Sequence, residues 1–319
     1  MTNNLITRYD ARDYIKGDGH IVLSGVGIND WTPYFHFKEL QKIGGFESDD
    51  CVIFSASEIT DAEIDYLISV GKISQTTIDW FTSLGFMDSV NSDDGKPHFH
   101  SSPRYWGTLT GNGQNGNALQ DPWNVGRKYG AIPWTDLPFD ATITTPEQYF
   151  APIPQNLLDK GQQFLMGVGG KNWIQFHWLY NDANGTISFP SLDADRFATP
   201  LQIGLNVGSD WNEVSPPVPP VGSPAGHSVT NIASSAQGEV IFDHYVPYVK
   251  TLGAGYPIPQ VMQAVITITP PPPAPPAPVI TNDTPAQAQQ ATSNWLSQLV
   301  AWLSSIIGST IQGIKGRNK

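Results

Sequence analysis

The chain reads Ser48-Asp49-Asp50-Cys51-Val52-Ile53-Phe54-Ser55 where its only cysteine follows an acidic run. A helix is predicted from about Asp50 to Val70, because apolar residues within it recur at the spacing that buries one face. The backbone N–H groups and the dipole of a helix favour the thiolate of a cysteine in its first turn. Cys51 is therefore a candidate nucleophile, with a small, inert, buried side chain as the alternative interpretation.

The bulk composition indicates a globular protein that does not bind nucleic acid. Of the 319 residues, 39% are hydrophobic and 11% aromatic, which is enough for a substantial core. Only 14% are charged, the net charge is −12, and no run of Lys or Arg precedes the last five residues, so we expect no nucleic-acid partner. Residues 1–16 lack the apolar region of a secretory signal, so we predict no signal peptide.

Composition divides the chain into three segments. Residues 1–265 are predicted to form the globular domain, and 266–292 a proline-rich linker that has seven prolines within 270–278. Residues 293–319 are predicted to form an amphipathic helix, because apolar side chains recur at helical spacing opposite Ser and Gln. We expect this helix to dock on a partner protein, on its own domain or at a membrane interface.

Further elements place the globular domain in the α+β class. Helices are predicted over Thr76–Leu84 and over Asn117–Tyr129, which Gly130 closes. Two strands, His227–Ile232 and Glu239–Tyr245, are predicted to form a hairpin around a turn at Gln237-Gly238. Helices followed by strands are typical of α+β folds. The pattern of residues 140–215, including the aromatic run 173–178, indicates buried core and predicts no further element or site.

His227 is the histidine best placed to partner Cys51. It starts one predicted strand, and Asp243 follows 16 positions later near the end of the next. Antiparallel neighbours can bring these two ends together, which supplies the base and the orienting carboxylate that a thiol nucleophile needs. His98 and His100 form an H-x-H pair near Asp93 and Asp94, but two ligands are few, so we predict a surface loop and no metal. The remaining histidines are predicted to be structural: His20, His36, His177 and His244.

These motifs resemble those of the papain-like cysteine peptidases. Cys51–Ser55 is similar to the start of that family's central helix, and Asp30-Trp31 to the Asp-Trp that commonly opens the mature enzyme. Other matching segments follow in the family's order: Gly116–Leu119, Lys128–Pro133, Leu137–Phe139, Gly226–Val229 and Ile241–Tyr245.

The resemblance implies a papain-like fold, with a helical half that carries the cysteine helix and a β-rich half. It implies a peptidase that cleaves peptide or isopeptide bonds of a polypeptide substrate through an acyl-enzyme thioester. Cys51 would be the nucleophile, His227 would shuttle the proton, and Asp243 would orient the imidazole. No metal or organic cofactor is implied.

Two departures from the family pattern support a second hypothesis. Family enzymes carry an oxyanion-stabilising Gln six residues before the cysteine, where this chain has Gly45; Gln41, four residues further upstream, is the candidate substitute. Asp49 and Asp50 would oppose ionisation of the neighbouring thiol. The alternative is therefore a weak or inactive papain-fold structural or adaptor protein of a larger assembly such as a virion, docked through its tail. The cytoplasm or a virion is the expected location. An amidase or transferase on the same scaffold would share the site.

Overall fold

The computed structural model describes residues 28–181, 192, 196–208, 210–218 and 225–269. Its α-helices within these residues are α1 (Cys51–Ser69), α2 (Gln75–Leu84), α3 (Pro103–Thr110), α4 (Gln120–Tyr129), α5 (Pro146–Tyr149) and α6 (Gln155–Gly167). The strands are β1 (Lys42–Ile43), β2 (Phe46–Glu47), β3 (Met87–Asp88), β4 (His98–Phe99), β5 (Ile174–Asn181), β6 (Leu201–Val207), β7 (Ala225–Ser235), β8 (Gly238–Phe242), β9 (Val249–Gly253) and β10 (Gln260–Ile266). The helices precede the large sheet in the chain, which confirms the predicted α+β class.

Helix α1 is the central element of the fold. It begins at Cys51, within one residue of the prediction, but every residue from Cys51 to Tyr66 is buried. The expectation of one buried face was therefore wrong. The reason is tertiary, because α3 and α4 pack against this helix together with strands β6, β7 and β10. Such an enclosed helix fixes the position of its first turn within the core.

The six-stranded sheet has the order β5-β10-β6-β7-β8-β9, and all its neighbouring strands are antiparallel. The predicted hairpin is confirmed as β7 and β8, with Thr230 opposite Phe242. Strand β7 is longer than predicted, and β8 ends at Phe242, one residue before Asp243. The loop after β8 therefore carries Asp243, beside the strand that carries His227.

Helix α4 begins three residues later than predicted. The side chain of Asn117 is engaged elsewhere, since its Oδ1 accepts from Asn112 at 2.8 Å, and the Ala118 N–H donates to Asp121 at 2.9 Å. The predicted end at Gly130 is confirmed. There φ is +74°, and a Cβ atom would lie 2.1 Å from the carbonyl oxygen of Gly161, so both the backbone angle and the close approach of α6 require glycine.

Residues 140–215, from which only buried core was predicted, contain the helices α5 and α6 and the strands β5 and β6. The aromatic run 173–178 leads into β5 at the edge of the sheet, and α6 and β6 lie on either side of it in the chain.

Thr267 and Thr269, in the predicted linker, donate backbone hydrogen bonds to Trp173 and Val168. Ile266, the first residue of the predicted linker, belongs to β10, whereas residues 270–292 and the predicted helix 293–319 lie outside the described residues. Within the described part of the chain, no helix has the length and apolar character needed to cross a membrane.

Candidate active site

The structure brings Cys51, His227 and Asp243 together at the first turn of α1. Ser55 Oγ lies 2.8 Å from Ser228 Oγ, and Thr230 donates to the Ser55 carbonyl, so β7 runs along this turn. His227 is thereby held against the thiol, and its Nε2 lies 2.8 Å from Asp243 Oδ1. All three residues are buried, with Cys51 2% exposed.

Charge is retained at this buried site. Burial alone would lower the pKa of His227, but the carboxylate of Asp243 and the thiol of Cys51 outweigh it and raise that pKa to about 10. The pKa of Asp243 is lowered to about 2 although its burial opposes this, because His227 and Lys250 favour the carboxylate. Near neutral pH a cationic imidazole thus lies beside the thiol, which is a setting typical of reactive cysteines.

Two residues that the sequence did not single out complete the surroundings of Asp243. Trp211 Nε1 and Lys250 Nζ each lie 2.7 Å from Asp243 Oδ2, while the N–H of His244 donates to Oδ1 at 2.7 Å. Lys250 lies in β9 and Trp211 in a loop. Neither belongs to a local motif, so nothing in the sequence marks them as partners of a carboxylate.

Gln41 lies beside Ser48, three residues before Cys51, although seven positions separate Gln41 from Ser48 along the chain. Strands β1 and β2 form a hairpin, and the Ser48 N–H donates to the Gln41 carbonyl at 3.0 Å. Gln41 Nε2 lies 2.5 Å from Tyr245 Oη and 3.5 Å from Glu47 Oε1, and Tyr245 also donates to Glu47. The β1–β2 hairpin therefore accommodates the residues by which the separation of Gln41 and Cys51 exceeds the family spacing. Its role as an oxyanion donor stays a prediction.

Asp50 is less of an obstacle to a thiolate than the sequence suggested. It is fully buried, and a Cβ atom on Gly107 would lie 2.2 Å from its Oδ2. Burial and the nearby charge of Asp49 raise its pKa to about 8, although the nearby Tyr149 hydroxyl and a hydrogen bond from Asn117 offset part of the effect. The Asp50 side chain is therefore mostly neutral at pH 7, so only Asp49 remains as a fixed negative charge among these two.

Asp50→Asn is expected to make the protein more stable at alkaline pH. Because the pKa of Asp50 is raised on folding, the folded state binds an extra proton between about pH 4 and about pH 8, and stability falls as pH rises through that window. An amide needs no proton, so the gain in unfolding free energy should be small near pH 4 and largest at and above pH 8. Urea unfolding of both proteins across this range measures it.

Asp49→Asn is the matched control for this experiment. Asp49 is half-buried with φ +61°, a conformation that Asn tolerates, so the same chemical change is made one residue away. The difference in unfolding free energy between Asp49→Asn and the wild type should vary less with pH than the difference for Asp50→Asn. If the unfolding free energies of the wild type and Asp50→Asn varied in parallel with pH, Asp50 would be ionised across the whole range, which would contradict the prediction.

The H-x-H pair begins in a strand and ends at a buried residue rather than lying on a surface loop, so that expectation was wrong. His98 is in β4, and His100, which follows it, is buried between Asp88 at 3.0 Å and Glu39 at 3.4 Å. These contacts tie β4 to neighbouring segments. The pair therefore has a structural setting that its sequence spacing did not indicate.

His36 joins His98 and Asp94 in the set of described residues whose ligand atoms could surround a metal ion, since these atoms lie within 4.8 Å of one another. The two imidazole rings, however, stack with centroids 3.4 Å apart and planes at 14°. Near-parallel rings so close cannot direct both lone pairs at one ion. His36 is instead 3.3 Å from Asp93, and His98 is 3.3 Å from Asp65 and 3.0 Å from Asp94. We assign this cluster as a network of contacts between histidines and carboxylates.

Comparison with known proteins identifies the fold. No family model and no curated protein sequence matches the chain. Among solved structures, xylellain, a cysteine protease from Xylella fastidiosa, superposes with a TM-score of 0.55 over 84% of this chain and 96% of that one, at 15% identity. The chain has a papain-like fold. The similarity to xylellain thus confirms, at the level of the fold, the resemblance drawn from short motifs.

Two other structures with the papain-like fold are similar over less of the chain. One is digestive procathepsin L 3 of the Tenebrio molitor larval midgut, with a TM-score of 0.47, 10% identity, and coverage of 74% of this chain and 69% of that one. The other is bromelain from Ananas comosus in complex with the E64 inhibitor, with a TM-score of 0.43, 13% identity, and coverage of 76% and 99%. The assignment of the papain-like fold rests on xylellain.

Proposed function

We propose that this protein is a cysteine peptidase that hydrolyses peptide or isopeptide bonds through Cys51. The observation that carries the proposal is the position of His227, whose imidazole meets the Cys51 thiol and lies 2.8 Å from Asp243. A nucleophile, a base and an orienting carboxylate in contact form the arrangement that acyl transfer to a thiol requires. The papain-like fold is consistent with this chemistry.

In the proposed reaction, the Cys51 sulfur attacks the carbonyl carbon of the scissile bond. His227 then protonates the departing amine, and the C–N bond breaks to leave a thioester on Cys51. Water attacks this thioester while His227 takes up its proton, and the returning thiolate completes the cycle. Asp243 keeps the imidazole ring oriented throughout.

The oxyanion formed during each attack needs hydrogen-bond donors near the sulfur. The backbone N–H of Cys51, at the start of α1, is one candidate because the first N–H groups of a helix have no partner within it. The Gln41 amide is the other. It donates one N–H group to Tyr245, while the 3.5 Å separation from Glu47 leaves the second only weakly hydrogen-bonded, and we assign this second N–H group as the donor.

The pH dependence of Cys51 alkylation by iodoacetamide tests this proposal. The chain has one cysteine, so the intact mass reports a single adduct without ambiguity. We expect rapid alkylation below about pH 7 in the native protein and its loss in His227→Ala, because the thiolate depends on the imidazolium. Cys51→Ala is the unlabelled control.

Alkylation that begins only near pH 8.5, the ordinary range of a free thiol, would contradict the proposal. So would equal rates in the native protein and in His227→Ala. Either result would favour the hypothesis of a papain-fold structural or adaptor protein, for which the near-complete burial of Cys51 would then be the relevant feature.

A further inference from the structure

Lys250 is a fully buried cation next to the candidate active site. Its ammonium group lies 2.7 Å from Asp243 Oδ2, 3.0 Å from the carbonyl oxygen of Tyr245 and 2.6 Å from that of Pro247. All three ammonium hydrogens are thus directed at acceptors. Burying a lysine is costly unless it is paired and hydrogen-bonded, so this geometry indicates a dedicated partner of Asp243.

The contacts of Asp243 show what Lys250 does to the carboxylate. His227 and the N–H of His244 occupy Oδ1, and Trp211 and Lys250 occupy Oδ2. With both oxygens engaged on two sides, the carboxylate plane cannot rotate away from the imidazole. Lys250 is therefore part of what keeps Oδ1 aimed at His227.

The pairing of Asp243 with Lys250 also changes the net charge next to the Cys51 thiol. A lone carboxylate behind the imidazole would place a buried negative charge near the thiolate and disfavour its formation. Lys250 supplies the opposite charge at 2.7 Å from Asp243, so the two side chains together are neutral, as an amide would be. The imidazolium is then left as the uncompensated cation facing the sulfur.

We propose that Lys250 is a positioning residue of the Cys51–His227 pair: it holds Asp243 against His227 and cancels the charge of the carboxylate. This inference rests on the proposed peptidase function, because it concerns the same thiolate. It adds a fourth member to the candidate site and assigns it a role that is exerted through Asp243.

The test compares iodoacetamide alkylation against pH in four proteins: the wild type, Lys250→Met, Asp243→Asn and the double variant. In Lys250→Met the carboxylate is uncompensated, so the midpoint of reactivity should rise by about one pH unit, and alkylation below it should slow about tenfold. In Asp243→Asn the cation is uncompensated, and the midpoint should fall. The double variant is neutral again and should return to within about 0.3 pH units of the wild type.

Lys160→Met is the matched control, because Lys160 forms an ion pair with Asp136 at 2.6 Å, part-buried and on helix α6. It should leave the alkylation profile unchanged. Opposite shifts in the two single variants are a signature of charge that a general loss of structure does not produce. If Lys250→Met fails to fold, the downward shift in Asp243→Asn and its reversal in the double variant still test the inference.

A reactive wild-type thiol whose midpoint is the same in Lys250→Met, or the same in Asp243→Asn and the double variant, would overturn the role of Lys250 and leave the peptidase proposal standing. An unreactive wild-type thiol would overturn both. The two failures are therefore distinguishable from one set of measurements.

Discussion

His227→Ala is expected to lower kcat/KM for peptide hydrolysis by about 10³- to 10⁴-fold, and Cys51→Ala to abolish hydrolysis. The imidazole acts twice in the proposed cycle, as the acid for the leaving amine and as the base for water, and a positioned acid–base group contributes about 10² to 10⁴ at each use. Residues that act as a unit lose activity together rather than additively, which limits the combined effect. Cleavage of a fluorogenic peptide library near neutral pH provides the measurement.

His177→Ala is the control for this prediction. His177 lies on β5, which β10 and β6 separate from β7, so its loss changes the same residue type at a distance from the thiol. Its kcat/KM should stay within about threefold of the wild type. A His227→Ala protein that keeps a tenth or more of wild-type activity, with the fold intact by circular dichroism, would remove His227 from the mechanism.

Lys250→Met is expected to lower the free energy of unfolding by about 3–5 kcal/mol. The substitution keeps an unbranched side chain one atom shorter but leaves the carboxylate of Asp243 buried without its cation, which is the costly way to break a buried ion pair. Replacing both partners removes the stranded charge, so Asp243→Asn/Lys250→Met should recover most of the loss. Urea unfolding at neutral pH, with the slope compared among variants, gives these values.

The Asp243–Lys250 pair also predicts how the difference in unfolding free energy between the wild type and Lys250→Met varies with pH. The folded-state pKa of Asp243 is lowered to about 2, so its favourable contribution is present above the unfolded pKa near 3.8 and is lost as pH falls toward 2. The gap between the wild type and Lys250→Met should therefore narrow in acid, where the unpaired carboxylate becomes protonated. A gap under about 1 kcal/mol at pH 7, or a double variant no better than the single one, would contradict a coupled pair.

Local patterns predicted the elements whose signals lie within a few turns of chain. Helix α1 began within one residue of its prediction, and the β7–β8 hairpin was predicted from β-branched runs around a turn. Gln41 was proposed as a substitute for the missing glutamine although it lies four residues further upstream than the family spacing. Local patterns did not predict the β1–β2 hairpin, which brings Gln41 beside Ser48.

The amino-acid sequence alone determined the order of the candidate catalytic residues: a cysteine at the start of a helix, then a histidine near the start of a strand, then a carboxylate near the end of the next predicted strand. Periodicity and turn residues are local properties, so the sequence carries them directly. Only the tertiary structure determined the charge states of the acidic side chains around the candidate site. The neutral state of Asp50 and the pairing of Asp243 with Lys250 depend on burial and on partners that no local pattern specifies, because both effects act through space.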